Sequence, residues 1–281
     1  MSPNYEMVVK HIRQQLTNYI IDNNLKSLVL GVSGGIDSAI VAVLADKVCY
    51  ELNIPLIGRT ITIESNTPEE ISRAELVGES LCTIYDSTNM DMVYGVLSNE
   101  LVLDGEKDDI AYKIRQGNIK ARLRMINLYN LASANKGMVL GTENKSEENI
   151  GFFTIGGDEI SDFEPIKELW KTEVYELSDW LCDNEFKIDA PHSVYDKRGV
   201  ALMACINADA TDGLGISNTD INQILPGFIG TSREGYKEVD KILQKWIYNG
   251  SGDINNPVIQ RHIKSEFKRK RPFIVKIIDK N

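Results

Sequence analysis

The most constraining feature of the chain is Ser27 to Ser38, SLVLGVSGGIDS, where an apolar run meets two glycines and then the start of an apolar helix. Ser27 to Val32 is short and apolar, the pattern of a buried strand, and Asp37 to Leu52 continues as an apolar helix. A strand that ends in Gly34-Gly35 and turns into a helix forms an anion site. The glycines let backbone approach an anion closely, and the helix offers free N–H groups and its positive dipole end. Gly31, Val32, Ser33, Gly34, Gly35, Ile36, Asp37 and Ser38 are therefore candidate phosphate-binding residues, with the two serines as hydroxyl donors. Asp37 is the odd member, because a carboxylate repels a phosphate unless a cation bridges them. That argues for Mg²⁺, commonly held by one or two carboxylates plus phosphate oxygens. The plainer alternative is a Gly-Gly turn in which Asp37 only caps the helix. The passage is neither a GxxxxGK[ST] loop nor a GxGxxG turn, and no lysine follows the glycines, so an ordinary kinase or GTPase is not indicated.

Along the rest of the chain, residues 4–23 carry apolar positions at helical spacing, and Ile54 to Ile63 forms a second strand. Thr67-Pro68-Glu69-Glu70 has the cap, the early proline and the returning glutamate of a helix start. Leu81 to Tyr85 is expected as a third strand and Asp104 to Asp109 as an acidic loop. Ile110 to Asn135 follows as a long helix, and Met138 to Leu140 as a fourth strand. Strands separated by helices indicate an α/β fold, a Rossmann-like, doubly wound parallel sheet with helices on both faces. Beyond about residue 150 the strands fade into helical patterns at 171–183, 219–224, 233–248 and 258–267. Ala190 to Ser217 is expected as a long loop. One domain over 1–281 is expected: an α/β nucleotide-binding core at 27–150, and a helical, loop-rich part at 151–281 completing the site.

Against 31 basic side chains stand 41 acidic ones, a formal charge of −10, so the chain lacks the positive field of a non-specific nucleic-acid binder. No stretch approaches the roughly 18 apolar residues of a membrane span. Cys49, Cys82, Cys182 and Cys205 form no CxxC pair and fit reduced thiols in a cytoplasmic protein. The three histidines show no zinc spacing.

Four further segments bear on the chemistry. Gln116 to Met125 reads QGNIKARLRM, Leu140 to Glu147 reads LGTENKSE, Gly151 to Pro165 reads GFFTIGGDEISDFEP, and Leu214 to Ser217 reads LGIS. With SGGIDS, in this order and spacing, they resemble the NAD synthetases of the N-type ATP pyrophosphatase superfamily, over roughly residues 5–275. The resemblance implies ATP-dependent amidation of deamido-NAD by ammonia, giving NAD, AMP and pyrophosphate through an adenylated intermediate. It assigns the glycine loop, Thr142 and Lys171 to ATP, and Asp37 with Glu147 to magnesium. Arg122, Asp162 and Lys268 fall to deamido-NAD, and Asp158 to the proton of the attacking ammonia. It also implies a homodimer, for which the helix around Ile110–Leu131 could supply the contact.

Read as residues alone, Glu147 also fits a solvated helix face, Asp158 a loop carboxylate, Lys171 a helix start and Lys268 a solvated tail. Arg122 and Arg124 lie two apart on a helix, so one of them is expected to reach the site. The chain departs from the family's usual pattern at Ile155, where lysine is common, and at Phe267, where histidine is common. Pro191 to Tyr195 replaces its PTADL or PSADL motif. With 281 residues accounted for by the synthetase pattern, free ammonia rather than glutamine is the expected nitrogen donor. Two rivals remain at this stage: a tRNA-thiolating relative, which would want a reactive cysteine and a basic face, and an idle nucleotide-binding homologue.

Overall fold

The Ser27–Gly31 strand (β1) is apolar at its centre because it lies inside a sheet covered on both faces, with Leu28, Val29 and Leu30 fully buried. The computed structural model describes residues 3–64, 66–101, 109–188, 194–211, 216–217 and 219–275. A leading helix α1 (Tyr5–Asp22) precedes β1, and α2 (Ile36–Leu52) follows it. Next come β2 (Leu56–Thr62), α3 (Pro68–Leu81), β3 (Ile84–Asn89), α4 (Asp91–Glu100), α5 (Ile110–Ala134) and β4 (Gly137–Leu140). The sheet runs β3-β2-β1-β4, and every pair is parallel. Helix α2 is apolar on nearly every side because it is the central covering element. Its face packs with α1 and with later helices in one core cluster that includes Leu16, Leu28, Ile40, Leu44 and Leu56. On the other face α5 covers β1 and β4, packing Ala132 and Leu128 against Val29 and Val139. Each parallel connection thus carries a helix, as crossover sterics require.

Beyond β4 the chain forms α6 (Lys145–Ile150) and α7 (Lys171–Leu181), which runs into a five-residue π-helix at Cys182–Phe186. A two-residue antiparallel pair follows, β5 (Lys187–Ile188) with β6 (Val194–Tyr195). Then come α8 (Lys197–Ile206), α9 (Asp220–Ile224), α10 (Ser232–Asn249), α11 (Pro257–Lys264) and α12 (Glu266–Arg269). Buried residues of α7 and α8, among them Tyr175, Leu177, Ala201 and Leu202, belong to the same core cluster as α2. A second cluster joins Ile150 to Ile221, Tyr236, Leu243 and Val258 of the later helices.

Three expectations are corrected. The third strand is Ile84–Asn89, not 81–85, and Leu81 closes α3. It is a sheet edge with mostly exposed side chains, so it lacks the apolar run that marks an inner strand. Helix α4 intervenes between β3 and α5 where no element was expected. The 190–217 segment is not one long loop, because α8 lies within it, capped by Asp196, whose carboxylate accepts from Arg198 and Gly199 N–H at 2.9 and 3.0 Å. The acidic loop at 104–109, apart from Asp109, and most of the Pro191–Tyr195 motif lie outside the described residues. So do Leu214 and Gly215.

Candidate active site

At the carboxyl end of the sheet, where open α/β folds bind ligands, lies a cavity of about 710 Å³. The loop after β1 forms its floor. Gly34 sits at φ +80, and a Cβ there would stand 2.3 Å from the Glu70 carbonyl oxygen, so α3 packs directly on a backbone that only glycine accommodates. Arg73 Nε donates to the Gly34 carbonyl at 3.0 Å, and Thr60 Oγ1 donates to the Val32 carbonyl at 3.1 Å, pinning the loop from both sides. Gly31, Val32, Ser33, Gly34, Gly35, Ile36 and Asp37 all line the cavity.

Ser38 does not. Its buried hydroxyl lies 3.0 Å from that of Ser33, accepts from Ser33 N–H at 3.2 Å and donates to the Gly35 carbonyl at 3.0 Å. In the arrangement seen, Ser38 braces the loop from behind.

Above the loop, Asn144 begins α6. Its side-chain oxygen accepts from Ser146 and Glu147 N–H, both at 3.1 Å, while its amide donates to Asp37 Oδ1 at 3.0 Å. One residue thereby caps a helix and ties the Asp37 carboxylate to the helix that carries Glu147. Lys171, at the start of α7 and 2% exposed, places its ammonium between those carboxylates: it bonds Asp37 Oδ2 and lies 3.1 Å from Glu147 Oε1. Burial, opposed by Lys171 and reinforced by Asp37, holds the Glu147 carboxyl well above the usual carboxylate range. Both carboxylates attract Lys171, whose ammonium is raised well above its ordinary pKa although burial opposes this. The two carboxylates converge on the Lys171 ammonium beside the phosphate cradle, and as hard oxygen donors they are of the kind that hold a magnesium ion together with phosphate oxygens and water. Among the described residues no group of three or more His, Cys, Asp or Glu side chains forms a self-sufficient metal cage.

Thr142 follows β4 and lines the same cavity, as do Arg122, Asp158, Lys171, Glu147 and Lys268. Arg122 donates from Nε and a terminal nitrogen to the Ile155 carbonyl at 3.2 and 2.8 Å. Lys268 donates to the Gly151 carbonyl at 2.7 Å and to that of Phe153, with its ammonium 4.4 Å from the Phe153 ring centroid. Asp158 accepts from Thr154 N–H at 2.9 Å, and burial raises its pKa against that bond and the Lys268 charge. Ile155 also lines the cavity, whereas Phe267 is 65% exposed and is not among the lining residues.

Asp162 stands apart from the others. Outside the cavity lining, it accepts from Val139 N–H at 2.7 Å and from the Tyr129 hydroxyl at 3.3 Å, which joins the 162–163 strip to the edge of β4. The expectation that one of Arg122 and Arg124 reaches the site is also corrected: both line it. The cavity follows both flanks of α5, and Arg124 donates to the Ile61 carbonyl and Asn66 Oδ1 on the side of β2, each at 3.2 Å. Asn144 and Arg261 are not singled out by the sequence, and Arg124 is weighed there only beside Arg122. The Asn144 signal was available, since asparagine three residues before Glu147 is an N-cap pattern.

A parallel sheet with a glycine cradle at its carboxyl edge, a carboxylate pair above the cradle and a cavity extending along α5 defines an α/β nucleotide-binding protein. Residues 8–272 match the family model for NAD synthase, and the chain belongs to that family. It is 31% identical over 274 residues to the NH(3)-dependent NAD(+) synthetase of Syntrophomonas wolfei, covering 98% of this chain and 97% of that protein. It is 32% identical to the enzyme of that name from Methanosarcina mazei, covering 95% and 98%. Among solved structures, the fold is similar to the NMN synthetase of Francisella tularensis (TM-score 0.76, 23% identity, 98% of this chain and 100% of that one). It is also similar to the NH3-dependent NAD synthetase of Campylobacter jejuni (TM-score 0.68, 23% identity, 98% and 100%).

Proposed function

We propose that this chain is an ammonia-dependent NAD synthetase. It would amidate the nicotinate carboxylate of deamido-NAD at the expense of ATP and release AMP and pyrophosphate. The observation that carries the reading is the convergence of Asp37, Glu147 and Lys171 over the Ser33–Gly35 loop, in a chain matching the family over residues 8–272. A carboxylate is a poor electrophile because its leaving group would be oxide. Its oxygen therefore attacks the α-phosphorus of ATP, the bond to the β-phosphate oxygen breaks, and an acyl-adenylate forms. Ammonia then attacks the acyl carbon, and AMP departs with that carboxylate oxygen.

In this reading the loop N–H groups and the α2 N-terminus receive the two outer phosphoryl groups, where charge builds as pyrophosphate leaves. Magnesium held by Asp37 and Glu147 would supply further neutralisation of that charge. Thr142, at the end of β4, and Lys171 complete the ATP side. Arg122 and Lys268, whose donors are turned toward backbone carbonyls of the 151–155 segment, supply cations for the dinucleotide. Asp158 takes the proton as ammonia becomes an amide, a role suited to a carboxyl whose pKa burial has raised. Asp162, bonded to Val139 N–H outside the cavity lining, would reach the dinucleotide only from the β4 edge, and Ser38 braces the loop. The four thiols do not suggest sulfur chemistry: burial raises each of them to about 12.

The chain pairs with a second copy through α4 and α5, where Met92, Val96, Leu101, Ile110, Ile114 and Ile126 present apolar side chains to solvent. No described helix is long and apolar enough to cross a membrane, and a cytoplasmic location is part of the proposal. Incubation with ATP, Mg²⁺, ammonium and deamido-NAD should give NAD and AMP in equal amounts, and omitting deamido-NAD should abolish both. ADP in place of AMP would overturn the chemistry. Preferential use of the nicotinate mononucleotide would overturn the substrate while leaving the ligase chemistry intact.

A further inference from the structure

The Lys171 ammonium occupies the point on which Asp37 and Glu147 converge. It bonds Asp37 Oδ2 and lies 3.1 Å from Glu147 Oε1, while the Asn144 amide donates to the remaining Asp37 oxygen, Oδ1, at 3.0 Å. All three charged side chains line the cavity, the carboxylates 17% and 16% exposed and the lysine 2%. The lysine backbone is fixed, because Lys171 N–H donates to Ser146 Oγ at 2.8 Å and that hydroxyl donates in turn to Asp240. Its ammonium lies 5.2 Å from the centroid of the Tyr236 ring, whose hydroxyl is engaged with Asp220 Oδ2 at 2.5 Å. Among the described residues, Asp37 and Glu147 are the carboxylates that pair with it.

An ammonium buried this deeply cannot leave its carboxylates unless another anion receives it. A divalent cation approaching the pair meets a like charge already hydrogen-bonded to both of its prospective ligands, and is repelled. The polyphosphate of a nucleotide removes both obstacles. Seated on the neighbouring Ser33–Gly35 loop, its oxygens receive the ammonium, a compact charge on a flexible stem, and so free the carboxylates.

We propose that Lys171 is a resident counter-ion that keeps Asp37 and Glu147 closed to free divalent cations and releases them when a nucleotide polyphosphate arrives. This rests on reading the cavity as an ATP site with magnesium on those carboxylates. The exchange moves one ammonium from carboxylate to phosphate oxygens, and no covalent bond changes. Metal and nucleotide then enter as a unit, and by linkage each raises the affinity for the other. When pyrophosphate departs, Lys171 returns to Asp37 and Glu147, so the buried carboxylates are paired between turnovers.

The test is titration of the whole protein with Mn²⁺ alone, followed by electron paramagnetic resonance, and separately with the α,β-methylene analogue of ATP in the presence of EDTA. The wild type, Lys171→Met and Lys171→Gln are compared. Both variants should bind free Mn²⁺ more tightly than the wild type, about tenfold to a hundredfold in Lys171→Met, while binding the analogue more weakly. Adding Asp37→Asn to Lys171→Met should remove the gain, which locates the ion. Unchanged or weaker Mn²⁺ affinity in the variants, with weaker analogue binding, makes Lys171 a nucleotide contact only and overturns the proposal. A second measurement needs no variant: the slowly exchanging ¹⁵N-lysine ammonium signal of the buried side chain should shift with the analogue alone and stay in place with Mg²⁺ alone. A signal moved by Mg²⁺ alone, or unmoved by the analogue, overturns it as well. A wild type that binds no analogue with or without Mg²⁺ overturns the reading of the cavity itself, and this assignment falls with it.

Discussion

Gly34 shows how one residue can set the geometry of a site. Any side chain there meets the α3 backbone, with a Cβ 2.3 Å from the Glu70 oxygen and 3.0 Å from Ala74 nitrogen, at a φ of +80 that L-residues rarely adopt. Gly34→Ala should cost about 2 kcal/mol or more, from backbone strain plus displacement of the loop. Thermal melting would show a fall of several degrees, and ATP affinity should drop with it. An unchanged melting temperature with unchanged affinity would mean that the loop relaxes freely. At this scale the sequence was largely legible. Glycines, serines and an aspartate between a strand and a helix are a local pattern, and local chemistry is what a sequence displays. Arg124 and Arg261 were not legible, because helical spacing does not tell how far a cavity wraps around a helix, nor that a distant Phe152 would back the Arg261 guanidinium. Asp162 shows another limit: its carboxylate accepts from a backbone N–H that only the folded sheet brings near.

Three elements meet at one buried carboxylate on α10. Asp240, 2% exposed, accepts from Ser146 Oγ at 2.5 Å, from Thr172 N–H at 2.9 Å and from Thr172 Oγ1 at 2.8 Å, while Ser146 Oγ accepts from Lys171 N–H at 2.8 Å. The start of α6, beside Glu147, and the start of α7, at Lys171, are therefore tied to each other through α10. Asp240→Ala leaves those donors unpaired in a buried setting, at a cost of about 3 kcal/mol. Denaturant unfolding should report that loss, and the same variant should bind Mn²⁺-ATP more weakly than it binds deamido-NAD. Equal affinities for both, with wild-type stability, would contradict the clamp. Element boundaries were well legible where caps spoke clearly: Thr67 and Glu70 form the capping box that their spacing predicts. Helix α8 was missed because Gly199 interrupts its first turn. The polar edge strand β3 was placed three residues too early because an inner strand's apolar run is absent there.

Over the whole molecule, stability follows the price of keeping acids near one sheet edge. Glu143 is 7% exposed, and its Oε2 accepts from Lys167 at 2.9 Å while Oε1 has no hydrogen-bond partner. Burial pushes its pKa up to about 7 from 4.5, despite Lys167. Between those values the folded protein holds a proton that the unfolded chain has released. The resulting stability is present below about 4.5 and lost as pH rises through about 7. Glu143→Gln should therefore gain stability relative to the wild type, by order 3 kcal/mol, as pH goes from 4.5 to 8. Melting curves across that range check it, and parallel pH profiles for the two proteins would contradict it. The parallel α/β class was legible from alternating strands and helices. The joining of α7 and α8 to the core around α2 was not, since that packing depends on contacts far apart in the chain.

The central claim is that the nicotinate carboxylate attacks the α-phosphorus while the glycine loop holds the two outer phosphoryl groups. Deamido-NAD labelled with ¹⁸O in its carboxylate, turned over with ATP and ammonium and followed by mass spectrometry, tests this directly. One labelled oxygen should appear in each AMP and none in pyrophosphate. Unlabelled AMP, or label in an inorganic phosphate product, would contradict the account.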